Sequence, residues 1–370
     1  MRLTLRQIRG SVGWSTCDHE GDRMNERSLG GLRTAPVGFG AMVLSPGMYG
    51  ETDDDRGTAA LRAALDAGAT MIDTADGYGA DGHNEALVGR AVAGRRDEVV
   101  IATKFGFRIP EGAEPHRFPV GYAFGELAVN AEPKYVRGYA EQSLRNLGTD
   151  VIDLYYPHFP DPQVPFEDTV GAVADLVAAG LVRHLGLSNV TAAQLRAAHA
   201  VHPVAAVQTQ WSMWQPVDPG LLAAARDLGI GLVAWSPLGG GFLTGTVQGL
   251  GEDDFRRHIP RFDEANLRTN NDRYAPLRGI AADLGLTPGQ LALAWLLHQD
   301  EHVVPIPGSR TPAHIAENTA AAAVTLDAAA LRRVEEALAV FAPAGRGALL
   351  DGDGGSGSGA EGGTEGRAEG

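Results

Sequence analysis

The sequence predicts an α/β protein folded as one (β/α)8 barrel of the TIM type, and three observations carry the prediction. Eight short apolar runs alternate with Ala- and Leu-rich helical stretches. Each run is apolar at nearly consecutive positions, as strands are when both faces of a parallel sheet are covered. Gly40-Ala41-Met42 follows the first run, where a doubly wound nucleotide-binding sheet would carry Gly-x-Gly-x-x-Gly opening a helix.

In chain order the strand candidates are 37–43, 70–74, 99–104, 151–156, 184–188, 206–210, 231–235 and 303–307. Helices fit between and after them at 54–67, 84–93, 133–147, 166–179, 191–199, 219–228, 273–284 with 288–299, and 311–322. Ala67-Gly68, Ala179-Gly180 and Leu228-Gly229 place glycine just past the last apolar position, where a left-handed residue closes a helix.

The 370 residues divide into an irregular extension at 1–25, a single-domain barrel at 26–345 and a Gly, Ser and acid tail at 346–370. That tail cannot bury a core and should be disordered. The net charge of −15 repels phosphate backbones, so nucleic acid and anionic membrane are unsuited partners. No apolar run reaches the roughly 18 residues of a membrane span. Cys17, the only cysteine, excludes an intrachain disulfide and suits the cytoplasm.

In a barrel the chemistry gathers at the C-terminal strand ends. The second strand ends in Ile72-Asp73-Thr74-Ala75 with Tyr78 just beyond, the third in Ala102-Thr103-Lys104, and the fourth leads to Pro157-His158. A buried Asp–Lys pair is tolerable where either ion alone would be costly. Beside a phenol it has a use: the ammonium favours the phenolate and should bring its pKa toward the working range, while the carboxylate keeps the lysine charged. Histidine near the same oxygen can orient a carbonyl. The set suits delivery of a proton to a carbonyl oxygen while hydride reaches its carbon. No metal-ligand pattern is read.

The run from Ile72 through Asp73 and Tyr78 to Gly79, with Asn84-Glu85 and Leu87-Val88-Gly89, resembles the aldo-keto reductase family. So do Ala102-Thr103-Lys104, Ile152-Asp153-Leu154-Tyr155-Tyr156 with His158, Gly186-Leu187-Ser188-Asn189 and Trp235-Ser236-Pro237-Leu238. The resemblance spans about residues 26–340. It implies that Tyr78 is the general acid–base, that Lys104 and Asp73 tune it, and that His158 positions the carbonyl. It also implies a nicotinamide cofactor lying across the barrel mouth. Ser188, Asn189 and Gln208 match positions that hold its carboxamide, Trp211 the position of a ring stacked on it, and Gly40 and Met42 contacts nearby.

For the phosphate end, the resemblance points to the glycine-rich loop containing Ser236, Pro237, Leu238, Gly240, Leu243 and Gly245. It points equally to Ile306, Gly308, Ser309 and Arg310, where a helix start plus an arginine makes an anion site. Glu317 and Asn318 match the adenine-contacting pair. Gly308 and His314 depart from the frequent lysine and arginine, and Pro157 from a frequent glutamine. Arg310 with Ser309 remains as the grip on a 2′-phosphate, so NADP(H) is favoured, with NAD(H) the alternative. A polar insertion at 246–273 resembles that of pyridoxal and other small-aldehyde reductases and reads as a clamp over the pyrophosphate. Tyr49, Phe105, Phe107, Phe159 and Trp214 are candidates for an apolar substrate pocket, and the loop at 109–127 for its lid.

The expected function is reduction of aldehydes or ketones with NADP(H), on a small carbonyl substrate. Two other functions fit parts of the pattern: a cofactor-sensing regulatory barrel, and an aldolase forming a Schiff base on Lys104. The second leaves Trp211, Ser188, Asn189 and Tyr78 without a task.

Overall fold

The computed structural model describes residues 26–50 and 52–349. The expectations for the extension at 1–25 and for the tail from 350 onward lie outside these residues, but the first part of the expected tail, 346–349, is packed on the barrel, with Ala348 buried and Gly121 N–H donating to its O at 2.9 Å.

A hairpin of β1 (Arg27–Leu29) and β2 (Leu32–Thr34) comes first. Then β3 (Phe39–Gly40), α1 (Asp54–Asp66), β4 (Met71–Asp73), α2 (His83–Val92) and β5 (Val100–Phe105) alternate. A second hairpin, β6 (His116–Pro119) with β7 (Glu126–Val129), interrupts the pattern before α3 (Pro133–Leu147). It resumes through β8 (Ile152–Pro157), α4 (Phe166–Ala178), β9 (Val182–Ser188), α5 (Ala192–Val201), β10 (Val204–Gln210), α6 (Pro219–Leu228) and β11 (Gly231–Trp235). The chain continues through α7 (Glu264–Asp283), α8 (Pro288–Leu297), β12 (Val303–Pro305), α9 (Pro312–Ala320) and α10 (Ala328–Val340).

The eight barrel strands pair parallel in the order β3, β4, β5, β8, β9, β10, β11, β12. Gly38 N–H donates to Pro305 O at 3.0 Å and Gly40 N–H to Pro307 O at 3.4 Å, so β3 meets β12 and the barrel closes. A Cβ on Gly308 would lie 2.4 Å from Gly40 O. Closure therefore explains why glycine stands where the resemblance leads one to look for lysine.

Side chains of alternate strand positions fill two compartments. Met71, Ala102, Leu154, Tyr156, Val233 and Val304 pack inside the barrel, and Leu29 of the first hairpin joins them from below. Phe39, Ile72, Ile101, Phe105, Tyr155 and Leu232 face the surrounding helices. The three anticipated helix-closing glycines, Gly68, Gly180 and Gly229, all have positive φ.

Besides the β1–β2 hairpin and α10, which the sequence reading did not list, two elements depart from it. Residues 264–272 open α7 instead of extending a polar insertion. Its buried stripe of Leu267, Asn270, Tyr274, Leu277 and Ala281 is helical in spacing, but Asn270 and the internal Pro276 obscure it. Asn270 is satisfied by Ala344, just past α10, exchanging hydrogen bonds with its O at 3.0 Å and its N at 2.6 Å. The expected lid carries the β6–β7 hairpin, whose base is pinned by the buried His116 on Asp161 at 2.8 Å. Among the described residues no single helix is long and apolar enough to cross a membrane.

Candidate active site

Strand ends assemble the predicted tetrad. Asp73 ends β4, Lys104 is the penultimate residue of β5, and His158 follows β8. Tyr78 comes from the β4–α2 loop, which Asn84 holds: its Nδ2 donates to Ala41 O and Ser45 Oγ, and its Oδ1 accepts from Thr74 Oγ1 at 2.7 Å. The Asn84-Glu85 pair belonged to the resemblance, but nothing in the sequence told what it braced. Glu85 accepts from Thr103 Oγ1 and Asn146 Nδ2.

Lys104 Nζ donates to Asp73 Oδ1 at 2.5 Å, to Thr74 O at 2.9 Å and to Tyr78 Oη at 3.3 Å. All three ammonium protons thus have acceptors, which makes this buried charge tolerable. Burial disfavours the ammonium, yet Asp73 and Tyr78 together hold Lys104 above its ordinary pKa. The expected lowering of the Tyr78 phenol is not what the geometry gives. Burial raises it above the ordinary phenol value, against the pull of Lys104, so Tyr78 carries its proton at neutral pH.

Burial, with Lys104 nearby, holds His158 well below the ordinary imidazole value, so it is neutral. Its ring lies 5.7 Å from that of Tyr78, edge to face, and its Nδ1 is buried without a partner among the described residues. Pro157 does not remove it from the mouth: His158 N–H donates to Phe105 O at 3.0 Å.

Gln208 is buried in the same cluster, where its Nε2 donates to Asp73 Oδ2 at 2.7 Å, so it braces the carboxylate. Asn189, with a left-handed φ of 57°, donates to Ser188 Oγ and His158 O and accepts from Trp235 Nε1 at 3.1 Å. Gln210 Oε1 is a buried acceptor without a partner among the described residues.

Several expected site residues fall elsewhere. Trp211 is buried in the outer core, where its ring meets that of Trp295 edge-on at 6.4 Å. Trp235, half-buried against the inner cluster and bonded to Asn189, is the ring the sequence reading passed over. Phe105 faces outward onto Tyr155 and Tyr139, because its neighbour Lys104 faces the axis. Trp214 is buried beneath the β11 loop, stacked on Phe242 at 4.1 Å. Of the expected pocket, Tyr49 and Phe159 remain half-buried near the site, and Phe107 lies 4.3 Å from His158.

The glycine-rich loop also differs from expectation. Gly239 N–H donates to Ser236 O, Gly240 N–H to Ser236 Oγ and Gly241 N–H to Leu238 O. These groups serve the turn itself, through φ of 57°, 62° and 91°, leaving no open row of N–H donors. Leu238 and Leu243 are buried in the core, as is Ile306 at the barrel rim. Gly245 shares the left-handed conformation, and Pro237 is buried. Met42 lies half-buried in a short 3-10 turn after β3.

At the other edge, Thr311 N–H donates to Ser309 Oγ beside the start of α9, with Arg310 and His314 exposed. Glu317 accepts from Thr287 Oγ1, and Asn318 is buried. Arg256 joins the loops. It donates to Gly240 O at 2.7 Å, pairs with Asp254, and lies over the Tyr49 and Phe262 rings.

The aldo/keto reductase family model matches residues 36–339. A Glycine max protein named "Probable aldo-keto reductase 1" is 38% identical over 319 residues, 85% of this chain and 88% of that protein. Aldo-keto reductase yakc, NADP(+), of Schizosaccharomyces pombe is 38% identical over 321 residues, covering 84% and 90%. The solved glycerol dehydrogenase AKR11B4 of Gluconobacter oxydans superposes with a TM-score of 0.72 at 25% identity, covering 90% of this chain and 99% of that one. With a family match over most of its length and relatives as near as these, the chain belongs to the aldo/keto reductase family, oxidoreductases acting on carbonyl compounds.

Proposed function

We propose that the protein reduces aldehydes and ketones to alcohols with NADP(H), using Tyr78 as the general acid. The observation that carries this reading is Lys104 Nζ, held between Asp73 and Tyr78 Oη inside the barrel mouth. NADP(H) is the favoured cofactor because the yeast relative's name specifies it and because Arg310 and Ser309, beside the start of α9, supply a guanidinium and a hydroxyl of the kind that grips a 2′-phosphate.

The residues present fit such a group. Among the described residues Gln210 Oε1 and His158 Nδ1 are buried polar atoms without partners, and a bound ligand could satisfy them. Ser188, Asn189 and Gln208 would hold the carboxamide end, Trp235 in place of Trp211 would offer a ring, and the start of α9 would meet the phosphates. When bound, the cofactor supplies hydride to the carbonyl carbon.

The chain's own residues handle the proton and the geometry. Tyr78, kept protonated by its burial, donates to the carbonyl oxygen as negative charge develops there. The Lys104 ammonium stabilises the phenolate left behind, and Asp73, itself braced by Gln208, keeps that ammonium in place. Neutral His158 can offer one N–H to the same oxygen. Tyr49, Phe107 and Phe159 give the approach an aromatic wall that suits small uncharged carbonyl compounds.

Tyr78→Phe tests the assignment. Turnover of NADPH with 4-nitrobenzaldehyde should fall by about 10²–10⁴, the usual scale of general acid catalysis, while NADPH binding read by fluorescence is unchanged. Retention of turnover would remove Tyr78 from the mechanism.

A further inference from the structure

Asp76 stands two residues before Tyr78 and has no part in the chemistry above, yet it is 4% exposed. Its Oδ2 accepts from Gly106 N–H at 3.0 Å and from Arg108 N–H at 3.1 Å. These two amides flank Phe107 on the loop after β5. Phe107 is closely confined. A Cβ on Gly77 would come within 2.7 Å of its Cβ, and on its other side its ring lies 4.3 Å from that of His158. Asp76 Oδ1 is buried without a partner among the described residues. A carboxyl is costly to bury, and this one spends one oxygen on fixing the residue that backs His158.

We infer that Asp76 is a positioning residue, whose carboxylate ties the Tyr78 loop to the Phe107 loop and thereby sets the aromatic wall against His158. The inference rests on the proposed reductase function, since it gives the wall a task in seating the carbonyl. Ionised, the carboxylate grips both amides through charge-assisted hydrogen bonds; protonated, it grips them more weakly.

The groups facing it are Glu85 from α2, Tyr139 from α3, Tyr155 from β8, Arg108 from its own tie and Tyr78 from its own loop. Burial, with Glu85 adding, pushes the carboxyl up to about 7 against the Arg108 and Gly106 N–H groups that favour the anion. A carboxyl whose folded pKa lies above its unfolded value favours the folded state most below the unfolded value, and that advantage is lost as pH rises to about 7. Stability and positioning therefore respond to ionisation in opposite directions.

The experiment uses the full chain with Asp76→Asn and Asp76→Ala, measuring NADPH turnover with 4-nitrobenzaldehyde from about pH 5 to about pH 8 together with thermal midpoints. Asp76→Asn should lower kcat/KM about tenfold at the upper pH, as expected for losing charge on a paired hydrogen bond. It should also erase the inflection near pH 7 expected of the wild type. Its midpoint at the upper pH should equal or exceed the wild type's, which a merely structural residue would not allow. Asp76→Ala, with no acceptor left, should lower kcat/KM further, with NADPH affinity unchanged.

Wild-type kinetics and pH profile in Asp76→Asn would overturn the role, as would an activity loss matched by a fallen midpoint. A wild type that turns over no carbonyl would overturn the reductase reading and this role with it. Turnover by the wild type with an unaltered Asp76→Asn would overturn the role alone.

Discussion

At the ends of β4, β5, β8 and β10, side chains alternate between the barrel axis and the helix layer. In the loops a few residues beyond, neighbouring residues obey no such period. The two regions are the same site in space, but they were built under different constraints. The strand ends hold buried charge, so every donor on Lys104 is matched and Gln208 comes in to satisfy Asp73. The loops hold mostly rings, with contacts such as Tyr122 on Phe255 at 5.2 Å that tolerate many arrangements. Polar matching fixes a geometry, whereas aromatic packing fills a space.

The sharpest break of this contrast is Lys104→Met. It leaves the Asp73 carboxylate buried without its cation, and loss of one partner of such a pair costs about 3–5 kcal/mol. A large fall in thermal midpoint should accompany the loss of turnover. Adding Asp73→Leu should return much of the stability and none of the turnover, because two apolar groups remove the stranded charge without restoring the proposed proton relay. If the double variant were as unstable as the single, the pair would not be what holds the strand ends together.

The fold was legible because near-continuous apolar runs alternating with helical stretches, and the glycines that close those helices, are local signals. The tetrad was legible because Asp73 and Lys104 are charged residues finishing apolar strands, which have few bland uses. Phe105 and Trp211 misled the sequence reading for one reason. Both follow strand ends closely, and an aromatic residue is equally at home inside the mouth or behind it. Parity could have settled Phe105, since Lys104 next to it had already taken the axis side. Trp235 was quoted in a motif but given no role, although it ends β11 as Lys104 nearly ends β5. Asp76 was invisible because its partners are backbone amides, which sequence does not distinguish.

The tryptophans give the next test. Trp211→Ala should cost about 3–5 kcal/mol of stability, the usual toll of emptying a large core site, and leave NADPH affinity alone. Trp235→Ala should spare most of the stability and weaken NADPH by roughly three- to tenfold, through loss of ring contact. Calorimetry and NADPH fluorescence titration separate the two. The opposite pattern would return Trp211 to the mouth.

The smallest effect should come from Arg256, where the loops do carry one polar tie. Its guanidinium spans the Gly240 carbonyl and the Asp254 carboxylate, and sits 5.1 Å from the Tyr49 ring centre and 5.7 Å from that of Phe262. Arg256→Ala removes a latch between the loop after β11 and the loop after β3, and nothing from the tetrad. Stability should fall by about 1 kcal/mol, because the lost contacts are half-buried and water can replace them. The NADPH dissociation rate, followed by stopped-flow fluorescence, should rise severalfold, with the chemical step in single turnover unchanged. Arg256→Lys should behave like the alanine variant, since an ammonium cannot span both acceptors and lie flat on the rings. A slowed chemical step would mean that the loops and the strand ends form one unit, and the contrast between them would not hold.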